Sequence, residues 1–207
     1  TNVGAMSGNK GIHYLIIAFA ILKQKFQNLK LILKDQSNLY DKKAEEYLDM
    51  IKTTKYGKYL NIDVINDIIF ISKNLDLISL NRLYNLTDCY VSPYRAEGFN
   101  LPPLEAAAVG TPIIVTKGGS TDDYFHPSLG LQIDSVQFEK NDSRKVEPKM
   151  DSLIECIERI ILNPKHAKKF MTALSDNILR FEKTNGIIED FEKNNIMQIE
   201  NAVSQGV

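Results

Sequence analysis

The stretch from Cys89 to Thr116, CYVSPYRAEGFNLPPLEAAAVGTPIIVT, decides how this chain is expected to fold. Cys89-Tyr90-Val91-Ser92 and Pro112-Ile113-Ile114-Val115 are short apolar runs with the β-branched and aromatic content of buried strands. Between them, Leu104 to Val109 reads as a helix, and the proline before it falls where a missing amide costs nothing. Strand, helix, strand in that order is the repeating unit of a parallel sheet.

The alternation continues on both sides. Upstream, Ile12, Leu15, Ile16, Phe19, Leu22 and Phe26 recur at helical spacing and form a stripe that must face a sheet or another helix. Leu29 to Leu33 reads as a strand, Asp41 to Lys52 as a helix, Ile68 to Ile71 as a strand after a polar loop, and Leu77 to Leu86 as a helix. Downstream, Gly130 to Ile133 is a last short strand and Asp134 to Lys149 a polar surface loop. Further helices are expected from about Asp151 to Asn163, from His166 to Phe181, and from Ile187 to Val203. The whole is an α/β chain whose parallel, doubly wound, Rossmann-like sheet carries helices on both faces.

Bulk composition removes several functional classes. The chain has 207 residues, 43% hydrophobic and 25% charged, enough for one good core. A net charge of −1 provides no global field for nucleic acid or an anionic membrane, so any anion site must be local. No apolar run reaches the roughly 20 residues of a transmembrane helix, and no cleavable leader opens the chain. A cytoplasmic location is therefore expected. Cys89 and Cys156 stand far apart in apolar settings and read as buried free thiols. His13, His126 and His166 are scattered, read as surface or helix-cap residues, and form no metal-ligand pattern with other side chains.

In an open parallel sheet, ligands bind at the carboxyl ends of the strands, where loops lead into helix N-termini with free amides and partial positive charge. Three loops there are unusual. Gly4-Ala5-Met6-Ser7-Gly8-Asn9-Lys10-Gly11 combines glycines with a cation at the mouth of a helix, although a flexible turn with a solvated lysine fits the same pattern. Pro93 to Glu105 places the amides of Gly98, Phe99, Asn100 and Leu101 at a helix entrance able to receive a diphosphate or sugar hydroxyls. Glu105 falls in the first helical turn, where a carboxylate suits the vicinal hydroxyls of a ribose and is equally at home as a dipole-stabilised charge. Glu97 is free to reach a bound sugar, or to be an ordinary loop acid. Lys117-Gly118-Gly119-Ser120-Thr121-Asp122-Asp123 again permits close backbone approach, with Ser120 or Thr121 as a cap for the next helix.

Together these loops closely resemble the C-terminal domain of family-4 type retaining glycosyltransferases of the GT-B architecture, over roughly Val3 to Pro164. The most specific element is Glu-x7-Glu, Glu97 to Glu105, within EGFNLPPLEAAAVGTPIIVT, where the family shows an EGFG-x-P-x-LEA-x-A-x-G-x-P-V pattern. Leu83 to Pro93 looks like the family's Leu-Tyr-x-x-Ala-Asp segment, and Lys10-Gly11 like its Lys-Gly element.

The resemblance implies residue roles. Glu105 would hold the nucleotide ribose, the Gly98 to Leu101 backbone would receive the diphosphate or donor sugar, and Glu97 would contact the transferred sugar. Lys10 would meet the leaving diphosphate, with Gly4, Gly118 and Gly119 lining the donor site. The family's arginine after the first-strand glycine is Ala5 here, which removes one charge-assisted contact. Lys34, at the end of a strand, offers a substitute cation or is merely solvated. Asn100 replaces the family's second glycine.

The implied reaction is metal-independent, retaining transfer from a nucleoside-diphosphate sugar to an acceptor hydroxyl in polysaccharide or glycoconjugate synthesis, with no cofactor. Residues 1–180 would form the nucleotide-sugar-binding domain and 181–207 a helical tail. The acceptor-binding N-terminal domain would be a missing partner, so that this chain alone binds without catalysing. The rivals are a nucleotide-sugar-binding module without transfer activity, a sugar-nucleotide epimerase, and a doubly wound domain for another phosphate ligand.

Overall fold

Parallel strands in two sets of three form the centre of the computed structural model, which describes residues 1–36, 45–137, 145–162 and Lys183. The chain divides into Thr1–Phe170 and Met171–Val207, and all of these strands belong to the first unit. The helices expected over His166–Phe181 and Ile187–Val203, and the 181–207 tail, lie outside the described residues but for Lys183.

β1 (Asn2–Val3), β2 (Leu31–Lys34) and β3 (Ile68–Ile71) pair in the order β1-β2-β3, and β4 (Tyr90–Ser92), β5 (Ile113–Thr116) and β6 (Gly130–Ile133) in the order β4-β5-β6. The two sets meet between β1 and β4. There the Val91 amide donates to the Thr1 carbonyl at 2.9 Å, the Asn2 side-chain amide donates to the Val91 carbonyl at 2.7 Å, and the Val3 amide donates to the Tyr90 hydroxyl oxygen at 3.1 Å. Across the junction the strand order is 3-2-1-4-5-6, which reverses direction between β1 and β4, and ligands of such sheets bind at that reversal.

Helices cover both faces because side chains alternate along each strand. β5 displays this most clearly: Ile114 enters one apolar core, while Ile113 and Val115 enter the other. The first core is closed by α1 (Ile12–Lys23), α2 (Glu46–Lys52), α3 (Ile62–Asn66) and α6 (Met150–Leu162). The second is closed by α4 (Leu77–Asn85) and α5 (Leu101–Ala108). The stripe expected on α1 is in fact nearly a full circumference, since Ile17, Ala18 and Ala20 are buried with Leu15, Ile16 and Leu22. α2 and α6 pack against it as well as the sheet. Each large side chain so buried contributes about 1.5–3 kcal/mol. Lys23 ends α1 buried, its ammonium donating to the Gln27 and Leu29 carbonyls and paired with Asp67, so the charge is compensated where the helix leaves carbonyls unsatisfied.

Several boundaries differ from expectation. α5 begins at Leu101, taking both prolines into its first turn, where their missing amides would have had no partner. β2 runs to Lys34. α2 is described from Glu46, residues 41–44 of the expected helix lying outside the described residues. The polar loop before β3 contains α3, capped by the Asn61 side chain accepting from the Val64 amide at 2.9 Å. The surface loop expected over 134–149 contains an antiparallel pair, β7 (Ser135–Gln137) with β8 (Val146–Pro148), and Val146 is wholly buried in the second core. Cys89 and Cys156 are both free, Cys156 buried and Cys89 half-buried.

Candidate functional site

The loops that follow β1 and β4 are bound to each other at the strand reversal. Gly11, with φ 66°, leads into α1, and a Cβ built there would lie 1.9 Å from the Pro93 carbonyl oxygen. The Arg95 amide donates to the Asn9 carbonyl at 2.6 Å. This contact directs Lys10, the last residue of a 3-10 turn over Gly8–Lys10, toward the second loop. Its ammonium lies 2.8 Å from a carboxylate oxygen of Glu97 and 3.3 Å from Oδ1 of Asn100. Gly4, with φ 141°, leaves room for the lysine stem: a Cβ there would sit 3.1 Å from Lys10 Cε.

Asn100 is the N-cap of α5 with φ 63° and ψ 65°, the left-handed region. The glycine of the resembled pattern thus has a backbone explanation, and asparagine is among the few other residues that tolerate this conformation. The buried Asn100 side chain donates to the Ser92 hydroxyl oxygen at 3.0 Å, and the Asn100 backbone carbonyl accepts from the Tyr124 hydroxyl at 2.8 Å. The amides of Gly98, Phe99, Asn100 and Leu101 donate to no other described residue. Gly98 is exposed, its φ is not positive, and a Cβ there would meet nothing within 4 Å. Among the described residues, neither the backbone nor a neighbour requires a glycine at 98. Phe99 is half exposed with its ring 5.2 Å from that of Tyr124, and Leu101 is exposed beside it.

Because α5 begins at Leu101 and not Leu104, Glu105 lies beyond its first turn and not within it; it projects exposed, with one carboxylate oxygen accepting from the Tyr84 hydroxyl at 2.7 Å. Burial first, then that hydrogen bond, push the Tyr84 hydroxyl well above its ordinary range, so it remains a donor. The other carboxylate oxygen of Glu105 accepts no hydrogen bond from the described residues.

Other residues singled out in the sequence play different parts. Gly119 is required by Tyr94, whose hydroxyl would lie 2.7 Å from a Cβ at 119, and Gly118 by its φ of 87°, with its amide donating to Asp122 at 2.9 Å. Both glycines thus have a reason within the fold itself. Neither Ser120 nor Thr121 caps the following 3-10 turn, whose cap is Gly119; the buried Thr121 hydroxyl instead meets Tyr94 at 2.8 Å. Lys34 is buried with its ammonium donating to the Asp35 carbonyl. Desolvation lowers its pKa, with Asp35 acting in the opposite sense. Its ammonium is thus already engaged by that carbonyl. Ala5, half-buried, contributes only its backbone, accepting from the Ser7 amide at 2.8 Å. Among the described residues, no three His, Cys, Asp or Glu side chains gather as a metal site.

His13, expected at the surface, is half-buried between Tyr14 and Tyr47, its ring 4.2 Å from the first, and its buried Nδ1 has no partner. Desolvation, aided by the Arg95 charge, lowers its pKa from 6.5 to about 4. The unfolded chain thus takes up a proton on His13 that the folded chain refuses between those values. Stability from this group is full above pH 6.5 and is lost as the pH falls toward 4. A His13→Gln chain should show a flatter fall in melting temperature between pH 6.5 and 5; an unchanged slope would remove His13 as its source.

The family described as glycosyl transferases group 1 matches residues 1–175. The capsular polysaccharide biosynthesis glycosyltransferase CapM of Staphylococcus aureus is 29% identical over 153 residues, 73% of this chain and 35% of CapM. The chain thus spans about a third of that relative's length. Among solved structures, the C-terminal domain of the glycosyl transferase group 1 family protein LpcC of Francisella tularensis shares the fold at a TM-score of 0.59 and 20% identity, covering 91% of this chain and 85% of that domain. Sucrose-phosphate synthase of Thermosynechococcus elongatus also gives 0.59 at 20% identity, covering 98% of this chain and 45% of that one.

Proposed function

Because the chain belongs to the group 1 glycosyl transferases, we propose that the β1–β4 crevice binds a nucleoside-diphosphate sugar for retaining transfer of the sugar to an acceptor hydroxyl. The observation that carries this reading is the convergence of Lys10, Glu97 and Asn100 at the strand reversal, beside free helix amides. A cation and several unengaged N–H groups at one helix entrance are what a diphosphate requires, and a carboxylate beside them can accept sugar hydroxyls.

In this proposal the bond from the anomeric carbon to the diphosphate oxygen breaks with its electron pair passing to the diphosphate, the acceptor oxygen bonds to that carbon on the face the diphosphate leaves, and the acceptor's proton passes to the departing diphosphate. Lys10 and the Gly98 to Leu101 amides stabilise that charge without a metal, as preorganised donors do for any developing anion. Glu105, held by Tyr84, accepts the ribose hydroxyls, and Glu97 leaves Lys10 to accept hydroxyls of the transferred sugar. The acceptor is proposed to bind on a further domain, in polysaccharide or glycoconjugate synthesis of the kind for which CapM is named.

Titration with UDP-, GDP-, ADP- and CMP-sugars tests the reading, since absence of binding at millimolar concentration would end it. Glu97→Gln should separate the two parts of the ligand. Lys10 loses its competing carboxylate, so free diphosphate should bind about threefold more tightly, while the added affinity due to the sugar disappears. Weaker binding of free diphosphate would contradict the role given to Glu97. One observation favours a binding module without transfer activity: Ala5 leaves Lys10 without a second cation in its loop. Robust transfer by a protein containing both domains would exclude it.

A further inference from the structure

We propose, resting on the donor-site reading above, that Asn100 is a positioning residue that holds Lys10 in place for the diphosphate while Glu97 is surrendered to the sugar. Asn100 adopts φ 63°, where glycine would be unstrained, and yet carries a side chain that is only 5% exposed. An asparagine in the left-handed region or at a helix N-terminus commonly turns its side chain onto local backbone. This one makes no such cap. Its two polar ends reach different elements instead, Ser92 at the end of β4 and Lys10 in the β1 loop.

The orientation of the amide follows from chemistry. An ammonium has only hydrogens to offer, so Oδ1 must face Lys10, which leaves Nδ2 to the Ser92 hydroxyl, an acceptor as readily as a donor. The bridge therefore has one workable arrangement, and Ser92 on a buried strand anchors it.

What the bridge supplies is a partner for Lys10 that carries no charge. Glu97 is the closer partner, at 2.8 Å, but its negative charge opposes a diphosphate and its oxygens are claimed by the sugar. A lysine on a flexible stem, released by its carboxylate, has many conformations to lose. Asn100 keeps the ammonium beside the amides of α5 through the exchange. Ala5 brings no charge to this loop and the Lys34 ammonium is engaged by the Asp35 carbonyl, so the placement of Lys10 carries more weight here than where an arginine shares the load.

The test is calorimetric titration of the 207-residue chain with UDP, GDP and ADP, and with the parent nucleoside of whichever binds, for wild type, Asn100→Gly, Lys10→Ala and the double variant. Asn100→Gly should keep the melting temperature, since glycine suits the backbone, and lose about three- to tenfold in diphosphate affinity with nucleoside affinity unchanged. In the Lys10→Ala background it should cost nothing more. Asn100→Asp, nearly isosteric, should weaken diphosphate further by setting a second carboxylate against it, and serves should the glycine variant unfold. An equal loss for nucleoside and diphosphate, the same loss without Lys10, or no loss at all overturns the inference and leaves the donor site standing. A wild-type chain that binds none of the diphosphates overturns both.

Discussion

Gly11→Ala is expected to cost the fold on the order of 3 kcal/mol or more, because it combines a left-handed backbone with a clash that no rotamer relieves. The obstruction is the Pro93 carbonyl, 1.9 Å from the added carbon, and Pro93 is a buried residue just after β4. The β1 and β4 loops must then separate at the point where they converge on the candidate site. For a domain of this size that is a fall in melting temperature of roughly 6–12 °C. Gly8→Ala makes the informative contrast: a Cβ there meets nothing within 4 Å and the φ is not positive, so its melting temperature should stay near wild type. Similar losses in both variants would refute the claim that the loop contact, and not loop flexibility in general, requires glycine.

Glu105→Ala should weaken nucleotide binding by about 1.5–3 kcal/mol, the range for hydrogen bonds to a charged group, or roughly ten- to more than a hundredfold. Tyr84→Phe should reproduce only part of that loss, because it removes the hydroxyl that holds one oxygen of Glu105 and leaves the carboxylate in place. Titration of both variants with the preferred nucleoside diphosphate, and with inorganic diphosphate, distinguishes ribose contact from a general effect. Inorganic diphosphate should be indifferent to Glu105, and a parallel loss would move the carboxylate's role away from the ribose.

Much of the architecture is legible in the sequence because its signals are local. β-branched runs such as Ile113-Ile114-Val115 mark buried strands, and α1 shows helical periodicity despite being buried on nearly every side. The Glu97 to Glu105 spacing and the Lys10-Gly11 pair, far apart in sequence, point to one site, and the fold places Glu97 against Lys10. The order of strands is not legible, since the reversal at β1 and β4 depends on contacts between residues some 90 positions apart, such as Asn2 with Val91. Residues whose roles are tertiary escape a reading of the sequence for the same reason. His13 has no sequence feature announcing Tyr47, Lys34 none announcing that its ammonium turns to the Asp35 carbonyl, and Gly119 none announcing the ring of Tyr94. Three-residue strands such as Ser135–Gln137 and Val146–Pro148 are too short to show a period. Asn100 is the instructive case: in sequence it is a departure from a glycine pattern, and its φ and its hold on Lys10 make it a fitted part of the site.

Where a donor sits is decided by a crystal structure of the chain with the nucleoside diphosphate that binds it. The expected result is phosphate oxygens within hydrogen-bond distance of Lys10 Nζ and of amides between Gly98 and Leu101, with the ribose hydroxyls on Glu105 and the Lys10–Glu97 pair opened. A diphosphate bound instead at the loop of Gly118 and Gly119, or anywhere that leaves Lys10 paired with Glu97 and the α5 entrance empty, would contradict the proposed donor site.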